Sequence, residues 1–159
     1  MIVLVMGVSG SGKNTVGELL AQRLGWKFID GDDYHPPENV KKMAAGIALQ
    51  DADRWPWLDR LNAILRQEKD AVVACSALKE AYRRRLLAGL FPYTIVHLRG
   101  GFELIRSRVE QRKHRYMPAS LLQSQFDTLE PPRDVIDVDV SADVETSLQT
   151  ILAALKARR

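Results

Sequence analysis

Gly7-Val8-Ser9-Gly10-Ser11-Gly12-Lys13 has the residue types and spacing of a loop that wraps a polyphosphate. Its glycines let the backbone approach closely. Successive amide N–H groups and the start of a following helix supply partial positive charge, and Lys13 can reach the outer phosphates. Asn14 and Thr15 extend the contact set. The position after the lysine ordinarily carries a serine or threonine hydroxyl that ligates Mg²⁺, and here it is Asn14. Thr15 points about 100° further around the helix and is poorly placed as a replacement. Three arrangements are therefore open: the Asn14 amide oxygen ligates the metal, a water fills the gap, or metal affinity and turnover are impaired. Weakened but retained Mg²⁺ binding is the expectation.

A second group of chemically capable residues lies further along. Asp30-Gly31-Asp32 stands at the end of a short apolar stretch, and strand alternation lets the two carboxylates share a direction. Beside a phosphate loop, Asp32 can orient or deprotonate an acceptor hydroxyl while Asp30 holds metal-bound water. His35 follows, either as a donor to a polar substrate or as a cap on the next helix. Lys79 and Arg83, four residues apart on a predicted helix, suit an anionic acceptor or a solvated face. Cys75 ends an apolar run with no base to activate it and reads as a small core residue. Arg108, Arg112 and Arg115, with Lys113 and His114, concentrate positive charge that could neutralise a transferring phosphoryl group or simply face water.

The elements that must position these residues follow from periodicity. Ile2-Val3-Leu4-Val5-Met6 is a continuous apolar run and reads as a strand buried on both faces of a parallel sheet. Further strands are expected over 26–30, 71–75, 94–98 and 135–140, the last alternating with aspartates as an edge strand does. Helices are expected over 14–24, 36–45, 55–67, 78–87, 102–111 and 143–156. This alternation predicts an α/β fold with a five-stranded, doubly wound parallel sheet and no linker: one domain spanning 1–159. The polar, cationic stretch 112–118 (RKHRYMP) reads as a small lid.

Composition narrows the function classes. The 159 residues carry 23 Lys+Arg and 20 Asp+Glu, and the resulting net charge of +3, without an aromatic stacking platform, argues against a nucleic-acid binder. One cysteine excludes an intramolecular disulfide framework and fits a reducing, cytoplasmic setting. No apolar run is long enough for a signal peptide or a membrane span.

Beyond the phosphate loop, four stretches are more specific: DGDDYHPPENVKKMAAG at 30–46, DADRWPWL at 51–58, ACSALKEAYR at 74–83 and LLQSQFDTLEPP at 121–132. With them, nearly the full chain resembles the small bacterial-type gluconokinases of the P-loop kinase superfamily. The resemblance implies a three-layer P-loop kinase fold with a small lid, ATP and Mg²⁺ as cofactors, D-gluconate as acceptor, 6-phosphogluconate as product, and a homodimer. It implies ATP contacts from 7–15 with Arg108 and Arg112, and Lys13, Asp32 and Arg112 in catalysis. His35, Lys79 and Arg83 become acceptor contacts; Arg54 joins them or pairs within the fold. Two positions depart from the family pattern: Asn14, and the lid run His114-Arg115-Tyr116-Met117. Two other readings stand beside this one: a kinase of another small hydroxy acid such as shikimate, and a nucleotide-binding protein with weak catalysis because of Asn14.

Overall fold

The structure is a computed structural model that describes residues 1–111 and 119–158. Five parallel strands, β1 (Ile2–Met6), β2 (Lys27–Asp30), β3 (Ala71–Ala74), β4 (Tyr93–Arg99) and β5 (Ile136–Asp139), form one sheet in the order β2-β3-β1-β4-β5. In register, Leu4 lies beside Val73 of β3 on one side and Ile95 of β4 on the other. All of β1 is buried, which is why its sequence is uninterrupted hydrocarbon rather than an alternating pattern.

The alternation of β1 divides the core. Val3 and Val5 pack with Val16 and Leu20 of α1 (Lys13–Leu24), Ile105 of α5 (Phe102–Glu110), Leu122 of α6 (Ala119–Thr128) and Leu148 of α7 (Val144–Arg158). Ile2, Leu4 and Met6 face the other way, onto Leu58, Leu61 and Leu65 of α3 (Asp51–Leu65) and Leu86 of α4 (Glu80–Leu87). Helices on both faces of a parallel sheet make the expected three-layer α/β arrangement. At the edge, β5 buries Ile136 and Val138 and exposes Asp137 and Asp139, matching its alternating sequence.

α1 and α7 begin within one residue of the sequence reading, α6 forms where that reading has no helix, and three other starts differ, each with a local cause. α2 (Pro37–Ala44) begins one proline later than expected because Pro36 is extended as its N-cap. α3 begins at Asp51 rather than 55, because Asp53 turns back to accept from the Gln50 backbone N–H at 2.8 Å. α4 begins at Glu80 rather than 78, because Ala77 adopts a left-handed φ of 45° and Lys79 is extended. This last difference corrects the pairing of Lys79 with Arg83 on one helical face. Lys79 precedes the helix.

Candidate active site

With β1 flanked by β3 and β4, the carboxyl ends of β1, β2 and β3 carry the loops that border the crevice, where ligands of open α/β sheets bind. The loop after β1 turns sharply into α1. Gly12 has φ 94° and serves as the N-cap of α1, and Gly10 has φ 85° with its Cα so close to Val109 that a Cβ would stand 2.6 Å from that side chain. Glycine is required at both. Lys13 Nζ donates to the Val8 carbonyl at 3.1 Å, so the ammonium arches over the loop it follows. Beneath, the Ser11 hydroxyl is buried with no partner among the described residues. A helix N-terminus, a lysine and a glycine-shaped nest together favour a polyphosphate.

Asn14 faces the carboxyl end of β2. Its Nδ2 donates to Asp30 Oδ2 at 2.8 Å, and Asp30 Oδ1 accepts from the Asp32 backbone N–H at 3.0 Å. Because a carboxylate only accepts, the amide nitrogen must face Asp30, which leaves the Asn14 oxygen on the other side of the amide. Among the described residues no cluster of three His, Cys, Asp or Glu could hold a metal alone. The donors present, an amide oxygen and the nearby carboxylates, fit an Mg²⁺ that arrives on nucleotide phosphates and keeps several waters.

Asp30 caps the short 3₁₀ turn Gly31–Tyr34, and that turn presents Asp32 to solvent. His35 is buried against it, stacked on Trp57 with ring centroids 3.9 Å apart. Trp57 is itself fixed by an Nε1–H bond to the Gly31 carbonyl at 2.8 Å. Asn39 Nδ2 lies 3.2 Å from His35 Nδ1 and also donates to the Asp53 carbonyl at 2.9 Å, which fixes the amide with its nitrogen toward the ring. With the amide nitrogen facing Nδ1, the other ring nitrogen, Nε2, lies 3.6 Å from Asp32 Oδ1.

A cavity of about 600 Å³ joins these parts, lined by Ser9, Gly10, Gly12, Lys13, Asn14 and Thr15 of the phosphate loop and also by Asp32, His35, Arg54 and Trp57. Val40, Met43 and Ile47 add an apolar wall, and Ser76, Leu78 and Gln125 close it further. Arg54 donates to the Leu49 carbonyl at 2.5 Å and to Tyr82 Oη at 3.1 Å, with its guanidinium 4.9 Å from the Tyr82 ring centre. The Tyr82 hydroxyl donates to Asp51, and burial together with that bond pushes its pKa up to about 12, so it stays a neutral prop for Arg54.

Several predicted contacts lie elsewhere. Arg83 is buried at 5% exposure, and it donates to the carbonyls of Ala77 at 2.8 Å, Leu78 at 3.0 Å and Glu130 at 2.9 Å. It lies outside the cavity lining and braces the loop behind it. Lys79 also stands behind the lining, with Nζ 3.6 Å from Asp51 and 5.6 Å from the Tyr82 ring centre. Arg108 donates to the Val140 carbonyl at 2.5 Å, at the end of β5. Gly7, Val8 and Ser11 shape the phosphate loop from beneath rather than lining the cavity. Arg112 and the predicted lid, 112–118, lie outside the described residues. Cys75 is buried, and burial raises its thiol to about 12, so it is no nucleophile.

Trp57, Asn39 and Gln125 were not foreseen as site residues. Each lies in or beside a stretch that carries the family resemblance, yet its partner is brought to it only by tertiary packing.

Comparison with known proteins agrees with this geometry. The family model described as "Shikimate kinase" matches residues 9–149. A probable gluconokinase of Xenopus tropicalis is 46% identical, with 95% of this chain and 91% of the relative covered. The crystal structure of a gluconokinase from Sinorhizobium meliloti 1021 superposes with a TM-score of 0.91 at 43% identity, covering 98% of this chain and 91% of that one. The shikimate kinase from Aquifex aeolicus shares the fold, with a TM-score of 0.61, at only 20% identity over 99% of this chain and 98% of that one. A P-loop kinase sheet, a glycine-shaped phosphate cradle opposite an Asp–His pair, and near full-length identity to gluconokinases place the chain in the gluconokinase family.

Proposed function

We propose that this protein transfers the γ-phosphoryl group of ATP to D-gluconate, giving 6-phosphogluconate and ADP. The observation that carries the reading is the shared cavity: phosphate-binding residues Gly10, Gly12 and Lys13 and acceptor-side residues Asp32, His35 and Arg54 line one space. In-line transfer needs little covalent chemistry from the protein and depends on positioning and charge stabilisation.

The loop amides and Lys13 hold the β- and γ-phosphates. Asp32 accepts the proton of the gluconate C6 hydroxyl as that oxygen bonds to the γ-phosphorus and the bond from phosphorus to the ADP oxygen breaks. His35, with Nε2 3.6 Å from Asp32 Oδ1, flanks the Asp32 carboxylate and limits its orientation. Arg54 offers its free N–H groups to the gluconate carboxylate. Lys79 acts at longer range through Asp51, which the Tyr82 hydrogen bond holds below the usual carboxylate range. The family resemblance assigns Arg112 to the transferring phosphoryl group and Arg108 to the nucleotide.

Mg²⁺ bound to ATP would neutralise charge on the β- and γ-phosphates, with the Asn14 oxygen as its protein ligand and Asp30 holding a coordinated water. We take residues 1–159 as one kinase domain with a lid at 112–118, acting as a cytoplasmic homodimer without nucleic-acid or membrane partners. The single cysteine supports a reducing compartment. An acceptor comparison tests the assignment: ADP release from ATP rises with D-gluconate and not with shikimate, whereas preference for shikimate would overturn it.

A further inference from the structure

One contact between the phosphate loop and a distant helix goes unused by the mechanism above. Gln125 of α6 meets Ser9 at two points: the Ser9 backbone N–H donates to Oε1 at 2.7 Å, and Nε2 donates to Ser9 Oγ at 3.1 Å. The amide orientation is determined, because rotating it would set its NH₂ against the Ser9 N–H. Both residues line the cavity. α6 itself is held by buried Leu122 and by Phe126, edge-on to Phe102 of α5 at 5.5 Å.

Five residues further on, the same segment is clasped to the acceptor side. Glu130 N–H donates to the Leu78 carbonyl at 2.8 Å, its own carbonyl accepts from Arg83 at 2.9 Å, and its Oε1 accepts from the Glu80 N–H at 2.9 Å. Arg83 also bonds the carbonyl of Ala77, whose left-handed backbone needs such support. Leu78 and Ser76 of that loop line the cavity. The stretch 125–130 is thus a short strut, fixed at one end to the phosphate loop and at the other to the loop after β3.

We propose that Gln125 is a positioning residue for phosphoryl transfer: by holding Ser9 from a strut anchored through Glu130 and Arg83, it sets the phosphate loop at its working distance from the acceptor side of the cavity. It touches neither reacting atom in this role. Misplacing reactants by about 1 Å can slow a reaction about a hundredfold while leaving binding almost intact, because binding tolerates what in-line geometry does not. The inference rests on the kinase reading of the site.

The test compares wild type with Gln125→Met, which keeps the volume and removes both hydrogen bonds, and with Gln125→Ala, reading kcat, KM for gluconate, the Kd for ADP and the melting temperature. Both variants are expected to lower kcat about tenfold to a hundredfold while the Kd for ADP changes by less than about threefold. Equal kcat for Gln125→Met and wild type would overturn the proposal, and so would a kcat loss matched by lost ADP affinity or lost fold. Wild-type turnover with gluconate is a separate reading. Were it absent, the same variants would be compared in acceptor-free ATP hydrolysis, where the proposal requires the same loss and unchanged hydrolysis contradicts it.

Discussion

Asn14 and Asp30 are joined by a hydrogen bond of 2.8 Å between the Asn14 amide nitrogen and Asp30 Oδ2. The position that ordinarily offers a hydroxyl to Mg²⁺ instead has its donor tied to the carboxylate at the end of β2, with only the amide oxygen left for a metal. Asn14→Ser supplies the hydroxyl and frees Asp30. The expected result is a fall of about threefold to tenfold in the Mg²⁺ concentration giving half-maximal rate, on the scale by which residues around a metal tune its affinity. Superimposable magnesium titrations for the two proteins would contradict this account of Asn14.

Asp32 is set in place by its neighbours: the turn capped by Asp30 presents it, and His35, locked by Trp57 and Asn39, faces it through Nε2 at 3.6 Å. Asp32→Asn retains the shape and removes the proton acceptor. We expect kcat to fall by about a hundredfold or more, with the Kd for ADP within about threefold of wild type, as for loss of a general base. A parallel loss of nucleotide affinity would instead make Asp32 a phosphate-side residue.

The fold itself carries a titration. Burial in β4 lowers the pKa of His97, against the opposing pull of Asp137 at 3.6 Å and with the help of Arg83 and Arg99. The unfolded chain then binds this proton more readily than the folded one, so His97 favours the fold fully above its ordinary range near 6.5 and progressively less as pH falls below it. The melting temperature should drop between pH 7.5 and pH 5, before the carboxylates titrate, with a limiting slope of about 1.4 kcal/mol per pH unit for one proton. His97→Gln should flatten the decline. Equal slopes would assign the acid sensitivity elsewhere.

Much of this architecture is legible in the sequence because the signals are local. The β-branched apolar run 2–6 reads as a doubly buried strand, the alternation at 136–139 marks an edge, and the glycines at 10 and 12 suit the left-handed backbone they adopt. Asp32 and His35, read beside the phosphate loop, and Arg54, implied only by the family resemblance, all line the cavity.

The unreadable parts are those decided by tertiary contacts. Helical spacing pairs Lys79 with Arg83, yet the left-handed Ala77 delays the helix and the buried Arg83 bonds three backbone carbonyls. Trp57 lies far along the chain from His35, and only the packing of α3 against the turn after β2 stacks their rings. Gln125 and Ser9 are more distant still, and no periodicity announces their contact.

Proton-coupled ³¹P NMR of the reaction with ATP, Mg²⁺ and D-gluconate tests the central claim most directly, because it reports both transfer and the oxygen that receives the phosphoryl group. The account predicts a new phosphomonoester signal, equal in amount to the ADP formed and split into a triplet by the two protons on C6. A doublet would place the phosphate on a secondary hydroxyl, and inorganic phosphate in place of any ester would mean that the acceptor side of the cavity does not serve gluconate; either result contradicts it.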